Sequence, residues 1–147
     1  MTNTASLTDT LKTILADSFQ LYVLSLNVHW NVTGPLFAAV HQLSEAVYLD
    51  LATANDTLAE RLRALSVKAP ASLAAFSSLG SVQNVSETAS AADMLAALIA
   101  GINTNISSLK AGLTAASEAG DDVTAGLLTD RLSVMEKNRW MLSALAE

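Results

Sequence analysis

The chain has 147 residues and is about half apolar, so it can form one domain with a buried core. The absence of cysteine excludes disulfides and thiolate metal sites, and the net charge of −6 with scattered basic residues argues against a nucleic-acid surface. Residues 95–101, the longest apolar run, are too few to span a bilayer, and the N-terminal residues lack the pattern of a secretory signal. We therefore expect a cytoplasmic protein without membrane contact.

Apolar residues recur every three or four positions through the first third of the chain, which predicts two long helices. The first is expected to begin near Ser6, in a sequence that resembles a capping box, and to end before Thr33-Gly34-Pro35. The second follows Pro35 and runs to about Leu65. Its predicted length is roughly 45 Å, at the usual rise of about 1.5 Å per residue.

The rest of the chain predicts a long connection and two more long helices. Residues 66–90 are rich in Ser and Ala and contain one possible short helix at residues 71–79. The third long helix is expected from Ser90 to Gly120, and the fourth from Asp121 to the C-terminus. Together these elements predict an all-α, ferritin-like four-helix bundle, with a short helix in the crossover between helices 2 and 3 and a single domain over residues 1–147.

Both histidines of the chain flank the Gly34-Pro35 break. His29 lies about one turn before the predicted end of the first helix, and His41 lies about one and a half turns into the second. A single histidine is more often structural than a metal ligand. Folding back at the break, however, predicts that the two imidazoles lie side by side, which is an arrangement suited to metal binding.

Four potential ligands, His41, Glu45, Asp56 and Glu60, occupy an arc of about 100° on the second predicted helix. Imidazole and carboxylate groups together suit a divalent ion such as iron, manganese or zinc. The alternative is that these acidic residues simply face solvent. No glutamate is followed by histidine three residues later, so the usual di-iron motif within one bundle is not expected.

The spacing along the helix prevents these four residues from binding one ion within one chain. Glu45 and Asp56 are roughly 16 Å apart, and His41 and Glu60 are roughly 28 Å apart. Both pairs are centred between residues 50 and 51. Two antiparallel copies of the helix, related by a two-fold axis at that point, would bring His41 level with the partner subunit's Glu60. Glu45 would then lie level with the partner subunit's Asp56, which predicts two equivalent shared sites.

Several motifs in the chain resemble those of the Dps family of ferritin-like mini-ferritins. The motifs are His29-Trp30-Asn31-Val32-x-Gly34-Pro35-x-Phe37, Val40-His41, Asp56-x-x-Ala59-Glu60-Arg61, Gly120-Asp121-Asp122-Val123-Thr124-Ala125 and Glu136-Lys137-x-x-Trp140-Met141-Leu142. The resemblance implies a hollow dodecamer with di-iron ferroxidase centres between subunits. These centres would oxidise Fe²⁺ with hydrogen peroxide or O₂, and the shell would store ferric mineral and limit oxidative damage.

The resemblance also implies a ligand set that agrees with the spacing argument. His29, His41 and Glu45 would come from one subunit, and Asp56 and Glu60 from its two-fold mate. Many family members have Asp in place of Glu45, so Glu45 could bind the second iron directly or through water. A rival interpretation is a non-catalytic shell with a structural zinc site, because zinc competes well for imidazole and carboxylate ligands.

The resemblance also suggests roles for a few other residues. Trp30 corresponds to a family tryptophan beside the centre that can intercept oxidising equivalents, but it could equally anchor a subunit interface. Acidic residues near the family's three-fold pores correspond to Glu118, Asp121, Asp122 and Asp130. Charge compensation at a helix N-terminus is an alternative role for Asp121 and Asp122. DNA binding, which some members achieve with Lys-rich tails, is not expected here unless divalent cations bridge the two surfaces.

Overall fold

The computed structural model describes residues 2–147, with side chains from Ser6 onward. The helices are α1 (Thr2–Asn31), α2 (Phe37–Ala64), α3 (Leu73–Leu79), α4 (Ala91–Ala119) and α5 (Asp122–Ala146). The hairpin α1–α2 packs against the hairpin α4–α5, chiefly through α1 and α4, and α3 packs on α1. The predicted all-α four-helix bundle with a short crossover helix is confirmed. None of the helices in residues 2–147 has both the length and the apolar character needed to cross a membrane.

The ends of the helices follow local sequence signals, with one exception. Ser90 caps α4 by accepting a hydrogen bond from the Asp93 amide at 3.1 Å, and Gly120 ends α4 in the left-handed region with φ 66°. The predicted cap at Ser6 is wrong, because α1 already begins at Thr2. The Ser6 carbonyl lies inside the helix and accepts a hydrogen bond from the Thr10 hydroxyl at 2.8 Å.

Two glycines in α4 let the central helices approach closely. A Cβ atom on Gly112 would lie 2.5 Å from the Ile14 side chain, and one on Gly101 would lie 2.9 Å from the Leu24 side chain. Leu24 and Ile14 are both fully buried in the core. The small residues therefore allow α1 and α4 to pack at short distance, which compensates for the weak helix propensity of glycine.

The crossover between α2 and α4 is held to α1 by side chains that bond its backbone. Gln20 donates to the Phe76 carbonyl at 3.0 Å and accepts from the Val82 amide at 3.0 Å. Asp17, which is 2% exposed, accepts a hydrogen bond from the Ser81 amide at 2.6 Å. Further along α1, Asn27 donates to the Asn84 side chain at 2.9 Å and to the Val85 carbonyl at 2.8 Å. The irregular crossover thus has fixed partners at several points.

Candidate metal site

The two histidines meet beside the turn that connects α1 and α2. Gly34 adopts φ 90°, a left-handed conformation that favours glycine, and the chain reverses there between Asn31 and Phe37. The His29 and His41 rings are stacked, with centroids 3.7 Å apart and planes inclined by 13°. The structure thus places the imidazoles side by side, as the position of the Gly-Pro break predicts.

Reciprocal hydrogen bonds fix the tautomer of both rings. The Nδ1 atom of His29 lies 2.7 Å from the carbonyl oxygen of His41, and Nδ1 of His41 lies 2.7 Å from the carbonyl oxygen of His29. Because a carbonyl oxygen can only accept, each neutral ring carries its proton on Nδ1 and donates it. Each Nε2 atom therefore keeps a lone pair. Hydrogen bonding of one nitrogen to a carbonyl is also the usual way in which proteins orient a histidine that binds metal through the other.

Aromatic and hydroxyl groups that were not predicted from the sequence surround the pair. Phe37 stacks on His41 with centroids 4.9 Å apart, and Tyr48 meets His29 edge-on at 5.1 Å. The Ser44 hydroxyl is buried and lies 3.5 Å from Nδ1 of His29. Helical periodicity could have predicted two of these neighbours, since Ser44 and Tyr48 follow His41 by about one and two turns.

The carboxylates predicted as ligands lie on the surface of α2. Glu45, Asp56 and Glu60 are all exposed. Within residues 2–147 of one chain, no three His, Asp or Glu side chains lie close enough together to bind one ion. One chain therefore brings together His29 and His41 only. Glu45 follows His41 by one helical turn in the same chain, whereas Asp56 and Glu60, about four and five turns beyond His41, would have to come from a second copy to join the pair.

The four acidic residues predicted to lie near a pore differ in their surroundings. Asp121 caps α5 by accepting from the Thr124 amide at 2.9 Å, and both of its carboxylate oxygens lie 2.9 Å from an Arg61 guanidinium nitrogen. Burial alone would raise the pKa of Asp121, but the hydrogen bonds from Thr124 and the Arg61 charge outweigh it and lower that pKa. Asp121 is thus bound within the chain. Glu118, Asp122 and Asp130 are exposed.

The fold and the sequence together define a ferritin-like protein, because the model of the ferritin-like domain family matches residues 8–147. A DNA protection during starvation protein of Brevibacillus brevis is 35% identical over 127 residues, which cover 86% of this chain and 85% of that protein. Antigen TpF1 of Treponema pallidum is 35% identical over 144 residues, with 95% and 80% of the two chains covered.

Solved structures give the same result. A Dps protein from Bacillus brevis superposes with a TM-score of 0.95 at 32% identity, covering 100% of this chain and 99% of that one. The Vibrio cholerae Dps protein, described as a member of a broad superfamily of ferritin-like diiron-carboxylate proteins, has a TM-score of 0.93 at 27% identity. It covers 99% of this chain, and 92% of its own length is matched. The chain therefore belongs to the Dps family of ferritin-like proteins.

Proposed function

We propose that this protein is an iron-oxidising and iron-storing mini-ferritin of the cytoplasm. It oxidises Fe²⁺ with hydrogen peroxide, or with O₂, at centres shared by two subunits, and it stores the ferric product inside a hollow dodecamer. The observation that carries this proposal is the stacked histidine pair with both Nε2 atoms free to bind metal. The carboxylates predicted to complete the site lie on the exposed face of α2, and within residues 2–147 one chain alone brings no three His, Asp or Glu side chains together.

The exposed face of α2 supports the shared site, because its apolar and acidic residues follow the same symmetry. Leu49 is 55% exposed and Ala52 is also exposed, and this pair too is centred between residues 50 and 51. In an antiparallel dimer, Leu49 packs against the partner subunit's Ala52 at the two-fold axis. The acidic residues then lie toward the two ends of the interface, where each histidine pair is completed.

The ligands divide into two positions in each centre. Asp56 and Glu60 are one helical turn apart and converge on one iron, with Nε2 of the partner subunit's His29 as the nitrogen ligand. His41 and Glu45 hold the second iron, with Glu45 binding either directly or through water. Trp30 is 68% exposed in the single chain and lies beside this interface, where it either anchors the partner or intercepts oxidising equivalents.

Holding two irons together explains how the reaction avoids radicals. Two Fe²⁺ ions each give one electron to one hydrogen peroxide molecule, whose O–O bond breaks, and two protons complete two water molecules. Both substrates of hydroxyl-radical formation are consumed in one enclosed place. Glu118, Asp122 and Asp130 remain candidates for attracting Fe²⁺ to the shell. Asp121 is less suited to that role because its carboxylate is engaged by Arg61.

Anaerobic loading with Fe²⁺ followed by hydrogen peroxide tests the proposal. The wild type should show rapid growth of ferric absorbance, and a His29→Ala/His41→Ala variant should not. A shell that holds zinc without catalysis gives no ferric absorbance above the buffer rate even in the wild type. That result would reject the ferroxidase in favour of the zinc-binding shell.

A further inference from the structure

The face of α2 that the proposed dimer buries extends beyond the metal ligands at both ends. Arg63 follows Glu60 by three residues, Ala38 precedes His41 by three, and both are exposed. At about 40° and 60° around the helix from His41, they fall inside the arc of the proposed ligands. This pair too is centred between residues 50 and 51, so Arg63 of one chain lies level with the partner subunit's Ala38.

The Arg63 guanidinium has no partner within the single chain. Among residues 6–147 it forms no hydrogen bond or ion pair, whereas Arg61, two residues earlier, is held by Asp121 and Thr124. A basic residue in the last turn of a helix complements the helix dipole, and Arg63 meets that condition in α2. Lysine would serve the dipole equally well, and that role does not require a position on the shared face.

Helical geometry directs this side chain toward the shared centre. Side chains of a helix lean back toward its N-terminus, so Arg63 leans over the turn that contains Glu60. In the proposed dimer, Glu60 lies level with the partner subunit's His41, only about 4.5 Å along the axis from the level of Arg63. The partner subunit's Ala38, opposite Arg63, is too small to fill the space between the helices. The guanidinium can therefore reach the edge of the centre.

We infer that Arg63 is a further catalytic residue of the shared centre, which binds hydrogen peroxide and stabilises the negative charge that develops on its oxygens. This inference rests on the proposed function. Two Fe²⁺ ions supply two electrons, the O–O bond breaks, and two protons from solvent complete two water molecules. The guanidinium stays protonated, so it donates hydrogen bonds to both oxygens and supplies neither proton. A donor already aimed at developing charge lowers the barrier without reorganisation.

Three variants separate catalysis from structure. Arg63→Gln removes the charge, and Arg63→Lys keeps the charge but loses the paired donors of the guanidinium. Lys110→Gln is the matched control, because it removes the same charge from the exposed surface of α4. For each complete assembly, particle size is measured by light scattering and Fe²⁺ affinity by anaerobic calorimetric titration. The rate of ferric absorbance after addition of peroxide is then recorded at saturating Fe²⁺.

Since removal of one preorganised donor slows enzymes by about 100–1000-fold, Arg63→Gln should slow peroxide-driven oxidation by at least about tenfold. Its Fe²⁺ affinity should be unchanged or higher, because a neighbouring positive charge opposes cation binding. Arg63→Lys should lose less activity, and Lys110→Gln none.

A wild-type rate in Arg63→Gln would overturn this role while leaving the proposed function intact. Weaker Fe²⁺ binding in Arg63→Gln, or failure of both Arg63 variants to assemble, would also overturn it, because Arg63 would then be a structural contact. Absence of ferric absorbance in the wild type would reject the proposed function and the catalytic role of Arg63 together.

Discussion

Two regions of the molecule are held in a similar way: the turn of the α1–α2 hairpin, and the crossover between α2 and α4. In both, side chains of α1 form hydrogen bonds with the backbone of a neighbouring segment. In the crossover, Gln20 uses both its amide nitrogen and its oxygen, so its bonding groups are engaged within the chain. At the hairpin, His29 and His41 each use only Nδ1, and each retains an Nε2 lone pair. The difference separates a structural contact, which is complete in one chain, from the proposed metal site, which would require further ligands.

The largest expected effect is loss of metal binding without loss of stability. Removal of a group that only orients a metal ligand typically weakens metal binding by about 10–100-fold. Glu60→Ala removes a proposed ligand itself, so it should weaken anaerobic binding of Fe²⁺ by more than that. Its unfolding free energy should change by less than about 0.5 kcal/mol, because Glu60 is exposed in the single chain. Calorimetric titration and urea unfolding of the two proteins measure these quantities.

Two variants serve as controls for Glu60→Ala. Glu136→Ala removes an exposed carboxylate from α5 and should bind metal as the wild type does. Glu45→Ala should weaken mainly the second metal position and so have a smaller effect. Equal losses from Glu45→Ala and Glu60→Ala would contradict the proposed ranking of the ligands.

The reverse pattern is expected in the crossover. Asn27→Ala removes the donor for the Val85 carbonyl and the Asn84 side chain, which should lower the unfolding free energy by about 1–2 kcal/mol. Metal affinity should stay unchanged. Gln83→Ala is the matched control, because Gln83 is exposed and its bond to the Ser81 carbonyl is long, at 3.4 Å. A loss of metal affinity in Asn27→Ala as large as in Glu60→Ala would show that the two regions are not independent.

Two aspartates should respond to pH in opposite directions. Burial raises the pKa of Asp17, with partial compensation by hydrogen bonds from Ser81, Ser108 and Val82. The stability of the wild type relative to Asp17→Asn should therefore increase as pH falls through the raised folded-state pKa toward 3.8, the usual pKa of an aspartate. The pKa of Asp121 is lowered instead, so its contribution is complete above 3.8 and is lost as pH falls below that value.

Denaturant unfolding across a pH series, at constant protein concentration, checks both directions. On acidification, the unfolding free energy of the wild type should rise relative to that of Asp17→Asn. The advantage in unfolding free energy of the wild type over Asp121→Asn should become smaller. Parallel curves for the two variants would mean that burial does not raise the pKa of Asp17.

The smallest expected effect is on DNA mobility. The eight basic residues are scattered through the sequence, and Arg61 and Arg131 are already paired with Asp121 and Asp50. Phosphate binding needs clustered cations and weakens steeply with salt. We expect no shift of plasmid DNA at moderate salt without divalent metal, together with protection from nicking by iron and peroxide. A stable, salt-sensitive complex would contradict the first expectation, and undiminished nicking would contradict the second.

The fold was largely predictable because strong local signals mark its boundaries. Gly34-Pro35 separates α1 from α2, and Gly120-Asp121 separates α4 from α5. The start of α1 at Thr2 is not predictable from the sequence, since residues that can cap a helix, such as Ser6, can also continue one. The meeting of His29 and His41 was predictable for the same reason as the fold, because the length of the hairpin determines it.

The contacts that define the site were less predictable, because they involve the backbone. The bonds from Nδ1 to the opposite carbonyl depend on the distance between α1 and α2, which periodicity alone does not give. The anchoring of the crossover by Asp17, Gln20 and Asn27 depends on the path of an irregular segment. Their spacing of three and seven residues along one face of α1 was a weak signal that polar groups lay inside.

Mixing of complementary variants tests most directly whether each centre is shared by two chains. A His29→Ala/His41→Ala variant and an Asp56→Ala/Glu60→Ala variant are refolded together at equal concentration, and peroxide-driven iron oxidation is measured. Each variant alone should be inactive. Random pairing should give hybrid dimers with one intact centre each, and hence about a quarter of the wild-type centres. A mixture that is no more active than either parent variant would contradict a centre built from two subunits.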